Sequence, residues 1–213
     1  MQNEHRQVFT IPRKLKWLSL ALIAPLAFAD GGFYTGIGAG YADVSNTTQN
    51  PQIFNNGTLG TQSGSTFASN LYFGYDFNRF IGVQAEYDVA FGATIANSYN
   101  AGQQLLGASL LVHLPFSLFS DMLSGVSVFA KGGYVYNTTT FGNVNQTCPN
   151  CVNPPTFANG FTPIYGLGAE YGFTNVGFRL EWDTTPAMVA SNSNLSQVSV
   201  ASNMFLLSIL YHF

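Results

Sequence analysis

Charge is what this 213-residue chain has least of: seven basic and ten acidic residues, 8% of the total. The deficit is also uneven. Arg6, Arg13, Lys14 and Lys16 crowd the beginning, and beyond Ala29 only Arg79, Lys131 and Arg179 remain to face the carboxylates. With no basic patch to neutralise phosphates, nucleic acid is excluded as a partner. Cysteine is nearly absent, with only Cys148 and Cys151, so no disulfide framework can hold the fold together. Long apolar runs are missing after Ala29, which excludes a membrane-spanning helix there. Amphipathic helices are missing too. What the chain has in quantity is 19 Phe, 11 Tyr and 22 Gly, a mixture suited to tilted strands with aromatic girdles.

The first 29 residues read as a leader. Arg13, Lys14 and Lys16 precede the apolar run Trp17 to Ala24, and Ala27-Phe28-Ala29 supplies a small-x-small site. Basic, apolar, then small-x-small is the order of a secretory signal, with cleavage expected between Ala29 and Asp30. The apolar run is too short to cross about 30 Å of hydrocarbon at about 1.5 Å per residue. Residues 30–213 form the expected mature domain.

That domain is patterned with a period of two. The clearest stretch is Tyr165 to Asp183: Tyr165, Leu167, Ala169 and Tyr171 alternate with Gly166, Gly168 and Glu170. After a turn, Val176, Phe178, Leu180 and Trp182 alternate with Gly177, Arg179, Glu181 and Asp183. This is a hairpin with one apolar and one charged face. Six further segments repeat the pattern: Phe33 to Val44, Thr66 to Phe77, Phe80 to Phe91, Gly102 to Leu114, Gly125 to Asn137 and Val198 to Phe213. Polar stretches at Ser45 to Ser65, Gly92 to Ala101, Thr138 to Gly160 and Pro186 to Gln197 read as long loops. They alternate with short connections at Asn78-Arg79, Pro115 to Ser124 and Gly172 to Asn175.

Two regularities choose the environment. Alternating long and short connections are expected when loops lie on one side of a membrane and turns on the other. Glu86, Asp88, Lys131, Glu170, Arg179, Glu181 and Asp183 all fall on the parity opposite to the aromatic series. A basic residue facing lipid at mid-depth costs about 2–4 kcal/mol, and a place in the lumen avoids that cost. Nothing else in the chain covers the apolar face, so lipid must. Only helices and closed barrels satisfy every backbone hydrogen bond in lipid. The expected fold is all-β: an eight-stranded antiparallel up-and-down transmembrane β-barrel, with Trp182 the clearest candidate for an interfacial anchor.

The segments FYTGIGAGY, NLYFGYDFNRFIGVQAEYD, PIYGLGAEYGFTNVGFRLEWD and LSILYHF resemble the transmembrane domain of the outer-membrane protein A family, in family order and over most of the mature chain. The resemblance implies a bacterial outer-membrane barrel with a periplasmic N-terminus, without the peptidoglycan-binding domain of many members. It further implies that Tyr211 and Phe213 belong to the C-terminal signal read by the barrel-assembly machinery. Of the two buried ion pairs of such barrels, one carries over as Glu170 and Arg179. The other would fall on Gln84 and Leu111, which departs from the family pattern and puts an ion-pair-switching pore in doubt.

Other chemistry is thinly supported. Cys148-Pro149-Asn150-Cys151 has redox-motif spacing but no strand-helix context. A disulfide stiffening a loop tip is the favoured reading. His113 with Ser109 or Ser117 matches no nucleophile pattern. His5 leaves with the leader and His212 lies in the last strand, so no metal cluster or cofactor site is expected. The leading function is a non-enzymatic barrel that supports envelope integrity and presents four loops, with adhesion to or invasion of host cells through a surface receptor implied by the resemblance. The alternatives are a low-conductance pore and, on His113 and the lumen carboxylates, a barrel enzyme acting on lipid or peptide.

Overall fold

The structure, a computed structural model, describes residues 31–48, 61–95, 99–142, 157–191 and 197–213. They form eight antiparallel strands: β1 (Gly32–Thr48), β2 (Thr61–Asn78), β3 (Ile81–Ile95), β4 (Tyr99–Pro115), β5 (Val126–Gly142), β6 (Phe157–Phe173), β7 (Val176–Ser191) and β8 (Gln197–His212). Each strand pairs with its neighbours in chain order, and β1 pairs with β8 to close a barrel. Closure leaves no sheet edge to be satisfied by solvent. The alternation of the sequence becomes an inside and an outside. Ile37, Leu71, Phe73, Leu106, Leu167, Leu180, Leu207 and Ile209 are each at least half exposed on the outer wall, an arrangement that only hydrocarbon stabilises.

Both ends of the described chain lie at the short-turn end. Asn78 Oδ1 accepts from Phe80 N at 2.8 Å and Ile81 N at 3.0 Å, fixing the β2–β3 turn. Two 3-10 turns, Phe116–Leu118 and Asp121–Leu123, join β4 to β5. Thr174, at φ 54, turns β6 into β7, and Asn175 Nδ2 donates to His212 O at 3.0 Å. Phe213 N donates to Phe33 O at 2.9 Å, which fastens the last residue to the first strand. Aromatic pairs ring this end on the outside: Phe33–Tyr75, Tyr171–Phe173 and Tyr211–Phe213 have ring centroids 4.8, 6.2 and 5.3 Å apart.

The strands run further toward the loop end than their apolar patterns suggest. The stretch expected to be a polar loop at Gly92 to Ala101 is mostly strand, since β3 continues to Ile95 and β4 begins at Tyr99. The loops expected at Ser45 to Ser65 and Pro186 to Gln197 are corrected in the same way, with β2 starting at Thr61 and β7 ending at Ser191. Outside hydrocarbon a strand needs no apolar outer face, so backbone pairing carries the hairpins on through polar sequence. The extension also moves Trp182 off the end of its strand. It sits in the body of β7 between Leu167 and Phe205, and not near the end of its strand as expected from the sequence. Gly92, at φ 71, lies in the register shift between Ala90 and Ala93, where a bulge requires a left-handed residue.

Close packing inside the barrel depends on two glycines. Tyr34 is paired across β1 and β2 with Gly74, and Tyr72 with Gly36. Each tyrosine ring lies where a Cβ on the opposing glycine would sit, and both rings are buried. Gly36→Val and Gly74→Val should therefore each cost about 1–3 kcal/mol through overpacking. Lipid-facing Gly132, with open space at its Cβ position, should accept Ala at little cost. The heat-dependent shift of electrophoretic mobility of the folded barrel measures both.

Candidate functional site

Alternation on eight closed strands gathers the chain's few charges into one place, the lumen. Two cationic hubs organise it. Arg179, from β7, is 1% exposed. Its Nε and Nη2 donate to Glu170 Oε2 at 3.2 and 3.0 Å, and Nη1 donates to Gln84 Oε1 at 2.6 Å. The guanidinium also lies 4.7 Å from the ring centroid of Tyr72, 4.8 Å from Phe129 and 5.3 Å from Tyr34. A planar cation with five donors is well served by carboxylate, amide and aromatic faces together. Glu170 Oε1 is 3.5 Å from His212 Nε2, and Tyr34 Oη donates to Gln84 Oε1 at 3.2 Å.

Lys131, from β5, is the second hub. Its Nζ lies 2.5 Å from Glu86 Oε2, 2.5 Å from Glu181 Oε1 and 2.8 Å from Asp183 Oδ2. Ser109 Oγ donates to the other oxygen of Glu86 at 2.5 Å, and Gln84 Nε2 donates to Glu86 Oε2 at 3.1 Å. Gln84 therefore connects the two hubs. Asp88 is fully buried beside this cluster with no donor on either oxygen. Two like charges about 4 Å apart repel by about 4 kcal/mol at an effective dielectric of about 20. Four carboxylates around a single ammonium form a strongly anionic centre.

Toward the loop end the lumen is filled by a mixture of side chains. Val44, Leu105, Val135, Ile164, Val200 and Met204 are buried there with small alanines between them, and Gln103, Asn137, Thr139, Thr162, Thr185 and Ser202 are buried among them, Thr185 Oγ1 and Ser202 Oγ lying 2.8 Å apart. Below, at the turn end, Tyr34, Tyr72 and Leu210 pack together. A pocket of about 180 Å³ opens beneath them, lined by Asp76, Asn78, His113 and Glu170 among others.

The structure thus brings Glu86, Asp88, Lys131, Glu181 and Asp183 together, and holds Glu170 and Arg179 as a separate pair. Leu111 is buried and pairs in register with Lys131, so the second cation comes from the strand beside the position the family pattern would use. His113 lies 3.6 Å from Asp76 and faces the Phe129 ring, while Ser109 is bonded to Glu86. The suggested His113–Ser109 pairing is not formed. Tyr211 is exposed on the outer wall with Phe213 beside it. Cys148, Cys151, Ala29 and Asp30 lie outside the described residues. Sequence reasoning missed Gln84 as a connector, and it missed Tyr34, Tyr72 and Asp76 as lumen groups. The signal was available for the last three, which share the parity of the charges.

Comparison with known proteins agrees with this architecture. Residues 17–213 match the family model described as the outer membrane protein beta-barrel domain. Outer membrane protein A of Yersinia pseudotuberculosis is 26% identical over 168 residues, covering 78% of this chain. The chain spans 44% of the length of that relative. Among solved structures, Neisserial surface protein A is similar with a TM-score of 0.58 at 17% identity, over 87% of this chain and all of the other. A major outer membrane protein of Thermus thermophilus gives 0.49 at 14% identity, over 87% of this chain and all of the other. With a closed barrel, charges turned inward and a family model matched over nearly its whole length, this chain belongs to the outer membrane protein beta-barrel domain family, and its strands span a bacterial outer membrane.

Proposed function

We propose that the chain is a non-enzymatic scaffold that supports the envelope and holds its loops outside the cell, where they adhere to a host-cell surface receptor or promote invasion. The observation that carries this reading is the filled lumen. Paired charges, aromatic rings and buried polar and apolar side chains occupy the interior from the turn end toward the loop end. Little of the barrel is then free to act except its rim and loops. The strands are 15 to 18 residues long, against about 9–11 needed to cross hydrocarbon. The surplus lifts the loop ends clear of the membrane. Tyr41, Asp43 and Ser65 form an exposed polar cluster on that projecting rim, with Tyr41 Oη donating to Ser65 Oγ at 2.5 Å and Ser65 Oγ donating to Asp43 Oδ1 at 2.6 Å.

In this reading the leader is removed between Ala29 and Asp30, and Tyr211 and Phe213 present the assembly machinery with a terminal aromatic pair. Cys148 and Cys151 close a small ring in the loop between β5 and β6.

Two measurements test the proposal. Shortening residues 143–156 to a minimal turn should leave the barrel assembled, since the β5–β6 ladder extends to Thr140 and Phe157, but should lower attachment of expressing cells to host cells several-fold. Unchanged attachment with that loop and the other loops removed would contradict the adhesive role. In planar bilayers the purified protein should give no sustained current, because paired charges and packed side chains fill the lumen. Steady ohmic conductance would favour the pore instead.

A further inference from the structure

The lumen holds more carboxylate than its own cations can match, and the excess is localised. Glu86, Asp88 and Asp183 each place a carboxylate oxygen within 4.8 Å of the other two, and all three are buried. Lys131 takes one oxygen of Glu86 and one of Asp183, and Ser109 takes the second oxygen of Glu86. Three oxygens are left: Asp183 Oδ1 and both oxygens of Asp88, none of which any donor reaches. Asp88 is 0% exposed, so water at the surface does not solvate it. A buried carboxylate with both oxygens bare is retained only when something else compensates it. One inward position further along the wall, opposite Ala90, Gln103 is also 0% exposed with its amide oxygen and nitrogen unpartnered.

We propose that Asp88, Glu86 and Asp183 form a calcium site inside the barrel, next to Lys131 and on its loop-end side. Donors made of carboxylate oxygen, without thiolate or imidazole, select a hard cation. Calcium–oxygen distances of about 2.3–2.6 Å put two ligands on opposite sides of one ion about 4.6–5.2 Å apart, and ligands at smaller angles closer. Oxygens all within 4.8 Å of one another can therefore share a single Ca²⁺. The smaller Mg²⁺, at about 2.0–2.1 Å with strict octahedral geometry, would need the site to contract. A divalent ion also answers the charge. Glu86, Asp88, Glu181 and Asp183 leave three negative charges after Lys131 is counted, and Ca²⁺ leaves one. The carboxylates of Glu86 and Asp183 bridge, each giving one oxygen to the ammonium and turning toward the ion with the rest of its charge. Since Glu86, Asp88 and Asp183 are all buried, the ion enters as the barrel closes and leaves slowly.

The test is to refold residues 30–213 from urea into lipopolysaccharide-free detergent with either millimolar CaCl2 or EDTA, and then to desalt. Elemental analysis counts the metal, and the loss of folded-band mobility on heating gives the unfolding midpoint. The wild type refolded in calcium should retain about one Ca²⁺ per chain and unfold at a higher temperature than when refolded in EDTA. Asp88→Asn and Asp183→Asn should retain none and unfold at the same temperature in both media. Asp43→Asn, on the rim, should behave as wild type. If Asp88→Asn does not fold, the wild-type count and Asp183→Asn still decide. A wild type that retains no calcium, or a count that Asp88→Asn and Asp183→Asn leave unchanged, would overturn the site. So would a wild type that is equally stable in both media and is stabilised by acid alone, since protons would then neutralise the cluster.

Discussion

A charge turned toward hydrocarbon costs about 2–4 kcal/mol at mid-depth when it is basic, and somewhat less when acidic. That penalty, together with the demand that every backbone amide in lipid be paired, is enough to organise this protein. The first requirement sorts each strand into two faces. The second forces the strands into a closed ring, with β1 against β8. Exposed Phe, Leu and Ile on the outside are then the stable arrangement, and a chain with only 8% charged residues can place every intramembrane charge within the ring.

Concentrating charge inside creates a second problem, which the two hubs solve unequally. Arg179 is matched by Glu170, Gln84 and three aromatic rings. Lys131 is over-matched by carboxylates. Removing one partner of a buried pair costs about 3–5 kcal/mol, because the other charge is left stranded. The interior is therefore stiff wherever pairs are complete. Such a barrel suits the holding of loops in fixed positions better than it suits passage of solute.

Much of this was legible in the sequence, and the parts that were not share a cause. The hairpin from Tyr165 to Asp183 could be read because lipid demands alternation there, and its register pairs Glu170 with Arg179 as the family resemblance implied. Beyond the membrane the demand lapses, so β3 and β4 could not be followed to Ile95 and Tyr99, and Trp182 was placed at the end of a strand that continues to Ser191. Which inward residues meet across the lumen is set by tilt and closure, not by any one strand's pattern. Parity could place Lys131, Glu86 and Asp183 inside, but only the closed barrel brings residues 45 and 52 positions apart within hydrogen-bonding distance. Gln84 was read as the loss of an acid; the closed geometry makes it the link between two hubs.

The sorting of faces can be measured with one side chain. The chain has two tryptophans, and a protein beginning at Asp30 carries Trp182 alone, next to Glu181 and Asp183 in β7. Its fluorescence, recorded in bilayers with brominated acyl chains and then with iodide in the water, reports which medium it meets. Strong quenching by the brominated chains with little by iodide is the result expected if Trp182 faces lipid while its neighbours face the lumen. Strong quenching by iodide with little by the brominated lipid would contradict the inside-outside assignment on which the rest of the structure depends.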